Sequence, residues 1–283
     1  MNTIVYAEEW AIKAQERLAE NNKWREVCKV EYTDTKVLHN PYTTDAGVQT
    51  GTRGAAYTHQ AITLTDETVD ITTFKILPQL IDRADLAQQT YVKQMEMAAS
   101  QAVLLNEAIE TAMLAEHGQW TNFDNAAIGG AAGNITVSES NIDDIIRGIK
   151  REIREANGES LMDRNGAFII WRPADFEKLE AYAQSQGFST ADGALKDGTS
   201  QGFKYMGVEH YSSNKIATGH LFGGVKKLFH LGICKSTYGQ VVVDSEPATA
   251  DGAVSAIAVV MRVDFKFKAW AKVTPVLFDI LVA

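Results

Sequence analysis

Residues 85–117 constrain the fold most strongly, because they read as one long helix. The stretch contains no proline or glycine, and the first glycine after it is Gly118. Asp82 or Asp85 is predicted to cap its start and Gly118 its end. At about 1.5 Å per residue the helix would be roughly 50 Å long, longer than a compact domain needs. Its small and apolar residues recur at helical spacing: Leu86, Val92, Met95, Ala99, Ala102, Leu105, Ala108, Ile109, Ala112 and Met113.

A second long element near the C-terminus has a matching length. From Ile257 to Val273 every odd-numbered residue is apolar, and from Arg262 onward the even-numbered residues are mostly charged. This alternation is typical of a strand with one buried face, and at about 3.3 Å per residue it would span roughly 55 Å. We therefore expect an elongated spine, in which the apolar face of the strand packs on the helix.

The composition excludes several classes of protein. The 283 residues are 45% hydrophobic and 22% charged, which is typical of a globular protein with one large or two smaller domains. No apolar run approaches the roughly 18 residues of a membrane span, and residues 1–10 lack the features of a secretory signal. The two cysteines, Cys28 and Cys234, are predicted to be reduced thiols. The net charge of −9 argues against a surface that binds nucleic acid tightly.

The N-terminal quarter reads as an arm followed by a long two-stranded loop. Residues 4–20 are helix-prone and amphipathic, and Trp10 and Trp24 are expected to be exposed. Two alternating segments, 27–38 and 62–76, flank a long glycine-containing stretch. Because an isolated two-stranded hairpin is barely stable in water, we infer that another subunit packs against this one and completes it. A surface hairpin on a monomer is the alternative.

The remainder reads as a small mixed domain before the chain returns to the spine at about Ala253. Residues 121–140 form a small-residue connector that marks a predicted domain boundary. Asn141 is expected to begin a helix that ends at Asn157-Gly158, with Asp144 completing a weak capping box. The following elements are a buried strand at 167–171, a helix from Pro173, a glycine-punctuated loop at 187–202, and strands at 205–211 and 221–234.

The sequence predicts no catalytic, cofactor or metal site. It contains neither the H-E-x-x-H nor the P-loop spacing, so neither motif supports a hydrolytic enzyme. The ten-residue steps between His210, His220 and His230 are more typical of ordinary strand or loop histidines than of metal ligands. Glu107 and Glu110, on the long helix, are expected to be solvated or salt-bridged.

Three stretches, together with the order of the elements, carry a resemblance to a known family. Residues 169–180 read IIWRPADFEKLE, residues 207–214 read GVEHYSSN, and residues 258–281 read AVVMRVDFKFKAWAKVTPVLFDIL. With the arm, the long loop and the spine helix, they resemble the major capsid protein of tailed double-stranded-DNA bacteriophages. Encapsulins and the floor of the herpesvirus capsid share this fold.

The resemblance implies an α+β chain with the tailed-phage major capsid fold. Its parts would be an N-terminal arm (1–26), an extended β-hairpin loop (27–76), and a peripheral domain built on the spine helix (77–140). An axial α/β domain (141–243) would follow. The return strands of the peripheral domain (244–283) would end near the axial domain.

The resemblance also implies a structural protein and not an enzyme. Copies would assemble as pentamers and hexamers into an icosahedral shell around the double-stranded DNA genome, made in the host cytoplasm and located in the virion. An encapsulin-like nanocompartment around a cargo enzyme is the alternative. The implied partners are copies of the chain itself, portal and scaffolding proteins, a decoration protein as a further candidate, and packaged DNA contacted without specificity. No cofactor and no membrane partner is expected.

Contacts between subunits are expected at the tip of the loop and at the arm. The tip residues are Tyr42, Val48, Arg53 and Tyr57, and the arm residues are Trp10 and Trp24. Residues 42–57 contain no lysine, so we expect none of the covalent cross-linking found in some family members. Because the chain begins almost at its arm, we expect assembly with a separate scaffold or with none.

Overall fold

The computed structural model describes residues 22–43, 47–56, 59–82, 92–185, 203–238, 241–244 and 256–283. The predicted arm helix with Trp10, the start of the predicted long helix at 85–91, the loop at 187–202 and Tyr57 lie outside the described residues.

The described residues form five α-helices and thirteen β-strands. The helices are α1 (Trp24–Val27), α2 (Val92–Ala115), α3 (Ile142–Glu155), α4 (Glu159–Asn165) and α5 (Pro173–Ser185). The strands are β1 (Cys28–Thr33), β2 (Val37–Thr43), β3 (Leu64–Asp70), β4 (Thr73–Asp82), β5 (Thr121–Phe123), β6 (Ala167–Trp171), β7 (Phe203–Tyr205), β8 (Val208–Ser212), β9 (His220–Val225), β10 (Phe229–Cys234), β11 (Val241–Asp244), β12 (Ala256–Lys268) and β13 (Leu277–Leu281). None of the described helices combines the length and the apolarity needed to cross a membrane.

A five-stranded sheet, here called the spine sheet, is organised around β12. Strand β4 pairs antiparallel with one edge of β12, strands β10 and β11 pair with successive parts of the other edge, and β1 joins β10 in parallel. The predicted alternation is confirmed at Met261, Val263, Phe265 and Phe267, which are all buried. The prediction that the strand reaches Val273 is wrong, because the chain leaves the sheet after Lys268 and turns.

Helix α2 packs on the spine sheet as predicted. Leu105, Ile109 and Met113 belong to the same apolar cluster as Val263 and Phe265 of β12. The 24 described residues of α2 span about 36 Å at the usual helical rise.

The predicted end of the long helix differs from the structure. Helix α2 ends at Ala115, and the chain tightens into a 3₁₀ turn over Glu116–Gln119. Gly118 lies inside this turn without a left-handed φ, so its predicted role as a left-handed C-cap is wrong. The N–H of Trp120 donates to the carbonyl of His117 at 3.0 Å, and this hydrogen bond closes the turn without a glycine cap.

A six-stranded mixed sheet, in the order β5-β13-β9-β6-β8-β7, forms the second layer of the fold. Every residue of β6 is buried, and Pro173 begins α5, as predicted. The isoleucines of α3 pack against this sheet: Ile142, Ile145, Ile146, Ile149 and Ile153. Asn141 precedes α3 as predicted, but its side chain binds Ser138 N and Thr136 O in the preceding turn. The predicted capping box is therefore not formed.

Four predicted strands are each divided by a turn. The predicted strand at 205–211 is the hairpin of β7 and β8, which turns at Met206 and Gly207 with φ of 52° and 80°. The predicted strand at 221–234 is β9 in the mixed sheet and β10 in the spine sheet, separated by a turn in which Lys227 has a φ of 60°. The two predicted loop strands are divided in the same way, because β1 and β4 belong to the spine sheet and only β2 and β3 pair with each other.

The pairing of the strands crosses the predicted segment boundaries. Strand β10 and all but the last residue of β11 lie within residues 141–243 but pair in the spine sheet, whereas β5 and β13 lie outside that range and belong to the mixed sheet. The connector at 121–140 contributes β5 and the buried Ile135, which bridges to Val282. Each sheet therefore contains strands from more than one of the predicted segments. The division into loop, peripheral and axial segments stays a prediction.

Candidate functional site

The ribbon, which we define as β2, β3 and the described residues between them, is anchored at its base. Leu38, Val69 and Ile71 form a small apolar cluster against Trp270, just after the end of β12. Two polar contacts hold the same turn: the N–H of Ala271 donates to Glu67 at 3.2 Å, and Lys272 Nζ donates to Thr43 O at 3.0 Å. The turn that follows β12 therefore holds the base of the ribbon.

Beyond its base the ribbon exposes apolar side chains. All described residues in 47–56 and 59–64 are exposed, including Val48 (104%), Ile62 (66%) and Leu64 (69%). Covering one such side chain completely would contribute about 1.5–3 kcal/mol. Exposed apolar side chains gathered on one element mark a surface for interaction with another protein.

The structure describes three of the four predicted tip residues. Val48 and Arg53 lie in the exposed part of the ribbon, where the prediction placed them. Tyr42 is half-buried near the base, where Lys272 Nζ lies 5.2 Å from the centre of its ring. Part of the Tyr42 surface is therefore used within the chain.

The prediction that Trp24 is exposed is wrong. Its side chain is completely buried against α2, in the cluster that contains Ile109 and Met113. The backbone N–H groups of Lys23 and Trp24 donate to Glu110 Oε2 at 2.8 and 2.9 Å, which satisfies donors at the start of α1. Trp24 is consequently a core residue of its own chain.

The two carboxylates of α2 differ from each other. Glu107 forms an ion pair with Lys215 at 3.5 Å, as predicted. Glu110 is buried, so the expectation that it is solvated is wrong, and its carboxylate accepts from backbone N–H groups.

A second exposed apolar surface lies on β4 and was missed from the sequence. Phe74 and Ile76 are at least half exposed, and the Arg262 guanidinium lies 5.0 Å from the centre of the Phe74 ring. Both residues lie in the alternating segment 62–76, which was predicted to be one strand of the two-stranded loop. Since β4 pairs only with β12 among the described strands, these residues lie at an open edge of the spine sheet.

The histidines at ten-residue spacing do not come together. His210 is buried and accepts a hydrogen bond from Trp171 Nε1 at 3.0 Å, and burial lowers its pKa to about 4. His230 contacts Glu31 at 2.9 Å.

His220 instead joins a polar cluster with His117 and Asp279. Its Nδ1 lies 2.9 Å from both carboxylate oxygens of Asp279, and His117 Nδ1 lies 3.5 Å from Asp279 Oδ2. The centres of the two imidazole rings are 4.1 Å apart. Three residues that are so distant in sequence leave no spacing signal, which explains why sequence analysis missed the cluster.

No family model matches the chain, and no curated protein matches it in sequence.

Solved structures match almost the whole chain at low identity. The capsid of an empty GTA particle matches with a TM-score of 0.68 and 13% identity, over 98% of this chain and 95% of that chain. A structure from Mycobacterium phage Che8 matches with a TM-score of 0.66 and 14% identity, over 99% and 97% of the two chains. The capsid of Ralstonia phage GP4 matches with a TM-score of 0.62 and 8% identity, over 100% and 98%. The chain therefore has the α+β fold of phage capsid proteins, as its sequence resemblance implies.

Proposed function

We propose that the chain is the major capsid protein of a tailed bacteriophage. Copies assemble as pentamers and hexamers into an icosahedral shell that encloses the double-stranded DNA genome, and the protein has a structural and non-enzymatic role in the virion. The observation that carries this proposal is the similarity of fold to phage capsids over almost the entire length of both chains.

The exposed ribbon supports the step of self-association. Its base is fixed to the chain's own turn at Trp270, whereas Val48, Ile62 and Leu64 are exposed. A neighbouring copy that covers these side chains would remove their apolar surface from water and complete the ribbon. Phe74 and Ile76 offer a second apolar surface for a neighbour.

The other partners follow from the same role. A portal and a scaffolding protein would act during assembly in the host cytoplasm, and a decoration protein could bind the finished shell. The net charge of −9 suits a wall that contacts packaged DNA without binding it tightly.

The encapsulin-like alternative gains no support from the structures compared above, since those are from phages and a GTA particle. The contents of purified particles would distinguish the two functions. A DNA-filled phage shell absorbs more strongly at 260 nm relative to 280 nm than a shell filled with a cargo enzyme does.

The first experiment tests assembly. The untagged full-length chain is expressed, fractionated by sedimentation over a range of concentrations and imaged by electron microscopy. We expect closed shells with fivefold and sixfold clusters of subunits. Sedimentation as a small oligomer at every concentration, with and without a co-expressed scaffold from the same genome, would contradict the proposal.

The second experiment tests the ribbon. We expect both the deletion of residues 47–56 and the double variant I62D/L64D to leave a folded subunit that does not form stable shells, because each removes apolar surface for a neighbour. The control is T72D, at an exposed polar position between β3 and β4. Normal shells from the double variant would show that the ribbon is not an assembly contact.

A further inference from the structure

Three chain segments converge on the cluster of His117, His220 and Asp279. His117 lies in the 3₁₀ turn after α2, His220 begins β9, and Asp279 is at the middle of β13. In the antiparallel pair of β9 and β13, His220 is opposite Leu281. Asp279 is two residues from Leu281 and so lies on the same face as His220. The backbone of the mixed sheet therefore fixes two of the three side chains.

The carboxylate of Asp279 is buried, with only 2% of the residue exposed. It lies between Phe278 and Ile280 in a strand whose residues are almost all buried. A buried carboxylate is costly unless positive charge and hydrogen bonds compensate for its lost hydration. A protonated imidazole or a bound metal cation would provide the positive charge, whereas neutral imidazoles would provide hydrogen bonds alone.

The donor set fits a particular class of cation. Two imidazole nitrogens and one carboxylate oxygen are ligands that Zn²⁺ and similar divalent transition metals prefer, and oxygen-binding Mg²⁺ or Ca²⁺ would not select them. One ligand atom from each residue can be chosen so that all three lie within 4.8 Å of one another. A tetrahedral site with bonds of about 2.0–2.2 Å holds its ligand atoms roughly 3.3–3.5 Å apart. Small rotations of the side chains would therefore suffice to admit the ion.

The cluster is also open to solvent on one side. The side chains of His117 and His220 are 36% and 23% exposed, whereas that of Asp279 is 3% exposed. An ion can consequently reach the imidazoles from water, and a water molecule can take the fourth position of a tetrahedral site.

We propose that His117, His220 and Asp279 form a binding site for one divalent transition metal ion of the Zn²⁺ type. The ion links the end of α2, which packs on the spine sheet, to β9 and β13 of the mixed sheet. It therefore joins the two layers of the fold within a single chain. The proposal is independent of shell assembly, because all three ligands come from the same chain.

The test uses the untagged full-length chain after treatment with a chelator and dialysis. Zn²⁺ is titrated calorimetrically, and Co²⁺ is added as a spectroscopic probe of coordination by nitrogen and oxygen. We expect one Zn²⁺ per chain, a visible Co²⁺ absorption band of tetrahedral type, and a midpoint of thermal unfolding that rises by several degrees with Zn²⁺.

The variants are H117A and H220A, and the matched control is H39A. His39 is an exposed histidine that also contacts a single carboxylate, Asp66, at 2.6 Å. We expect H39A to behave as the wild type, and each cluster variant to lose at least tenfold in Zn²⁺ affinity together with the Co²⁺ band. H117Q, at the more exposed of the two histidines, serves as a second variant if either alanine variant does not fold.

Two results would overturn the proposal. One is the absence of stoichiometric Zn²⁺ binding to the folded wild type at micromolar concentrations. The other is equal Zn²⁺ affinity in the wild type and in a folded cluster variant, which would place the bound ion elsewhere on the chain.

Discussion

The carboxylate of Glu110 accepts the backbone N–H of Trp24 at 2.9 Å, across 86 residues of sequence. It also accepts the N–H of Lys23 at 2.8 Å, and both residues that donate to it are buried. A short helix such as α1 cannot satisfy its first N–H groups by itself. Glu110 thus fixes Lys23 and Trp24, at the start of α1, to helix α2.

Replacing Glu110 by alanine should destabilise the subunit. The variant E110A leaves two buried backbone donors without their acceptor, so we expect the free energy of unfolding to fall by about 2–4 kcal/mol. The control is T111A, at the exposed next residue of the same helix, which loses a hydroxyl hydrogen bond to Glu107 O and should cost about 0.5 kcal/mol or less. Urea unfolding followed by tryptophan fluorescence would measure both. Equal losses in the two variants would contradict the assigned role of Glu110.

The two cysteines should differ in reactivity. Burial, together with the nearby Glu110 carboxylate, raises the pKa of the Cys28 thiol well above its ordinary value. A hydrogen bond with the Ser236 hydroxyl lowers the pKa of Cys234, which is partly exposed. Since the thiolate is the reactive form, Ellman's reagent should modify one thiol per native chain and two in denaturant. The variant C234S should show no rapid reaction in the native state, and rapid loss of both wild-type thiols would contradict this assignment.

Gly224 should not tolerate a side chain. Its φ is +151°, and a Cβ at this position would lie 2.5 Å from Val276 O and 3.0 Å from Leu277 Cα. Because both obstacles are backbone atoms, we expect G224A to lower the free energy of unfolding by roughly 2–5 kcal/mol. G118A is the matched control, since nothing lies within 4 Å of a Cβ there. Thermal unfolding of the two variants would compare them, and a G224A midpoint equal to that of G118A would be the contrary result.

Periodicity predicted the parts of the fold in which one face of a regular element is buried. The alternation of β12 and the apolar stripe of α2 were sufficient to predict that these two elements pack together, and the isoleucines of α3 behave in the same way. Each of these patterns recurs several times within one stretch of sequence. A few exposed or polar positions do not change it.

Turns within alternating segments could not be predicted in this way. The alternation continues through Lys227 and Met206, where non-glycine residues adopt left-handed φ values that local sequence does not announce. Because these turns were missed, β1 and β4 were assigned to the two-stranded loop and not to the spine sheet. The long-range contacts of Glu110 with Trp24 and of Asp279 with its histidines leave no local pattern at all.

His210 is buried in the mixed sheet as a neutral imidazole. Its Nδ1 accepts the hydrogen bond from Trp171 Nε1, so its proton is on Nε2, which faces Tyr205 O at 3.3 Å. Protonation of Nδ1 would destroy the bond with Trp171 and place a charge among buried residues. Burial accordingly lowers the pKa of His210 from 6.5 to about 4.

Between about pH 6.5 and pH 4 the unfolded chain binds a proton at His210 that the native chain does not bind, so the free energy of unfolding falls as the pH falls. The contribution approaches roughly 3 kcal/mol at the acid end of this range.

The variant H210Q isolates this contribution, because a glutamine can accept from Trp171 and donate to Tyr205 without titrating. Urea unfolding of both proteins between about pH 7 and pH 4.5 should show the wild type losing roughly 2–3 kcal/mol more than H210Q. The lowered pKa of His230 acts in both proteins and cancels in the comparison. Parallel stability curves for the two proteins would mean that His210 is protonated in the native state or does not titrate in this range.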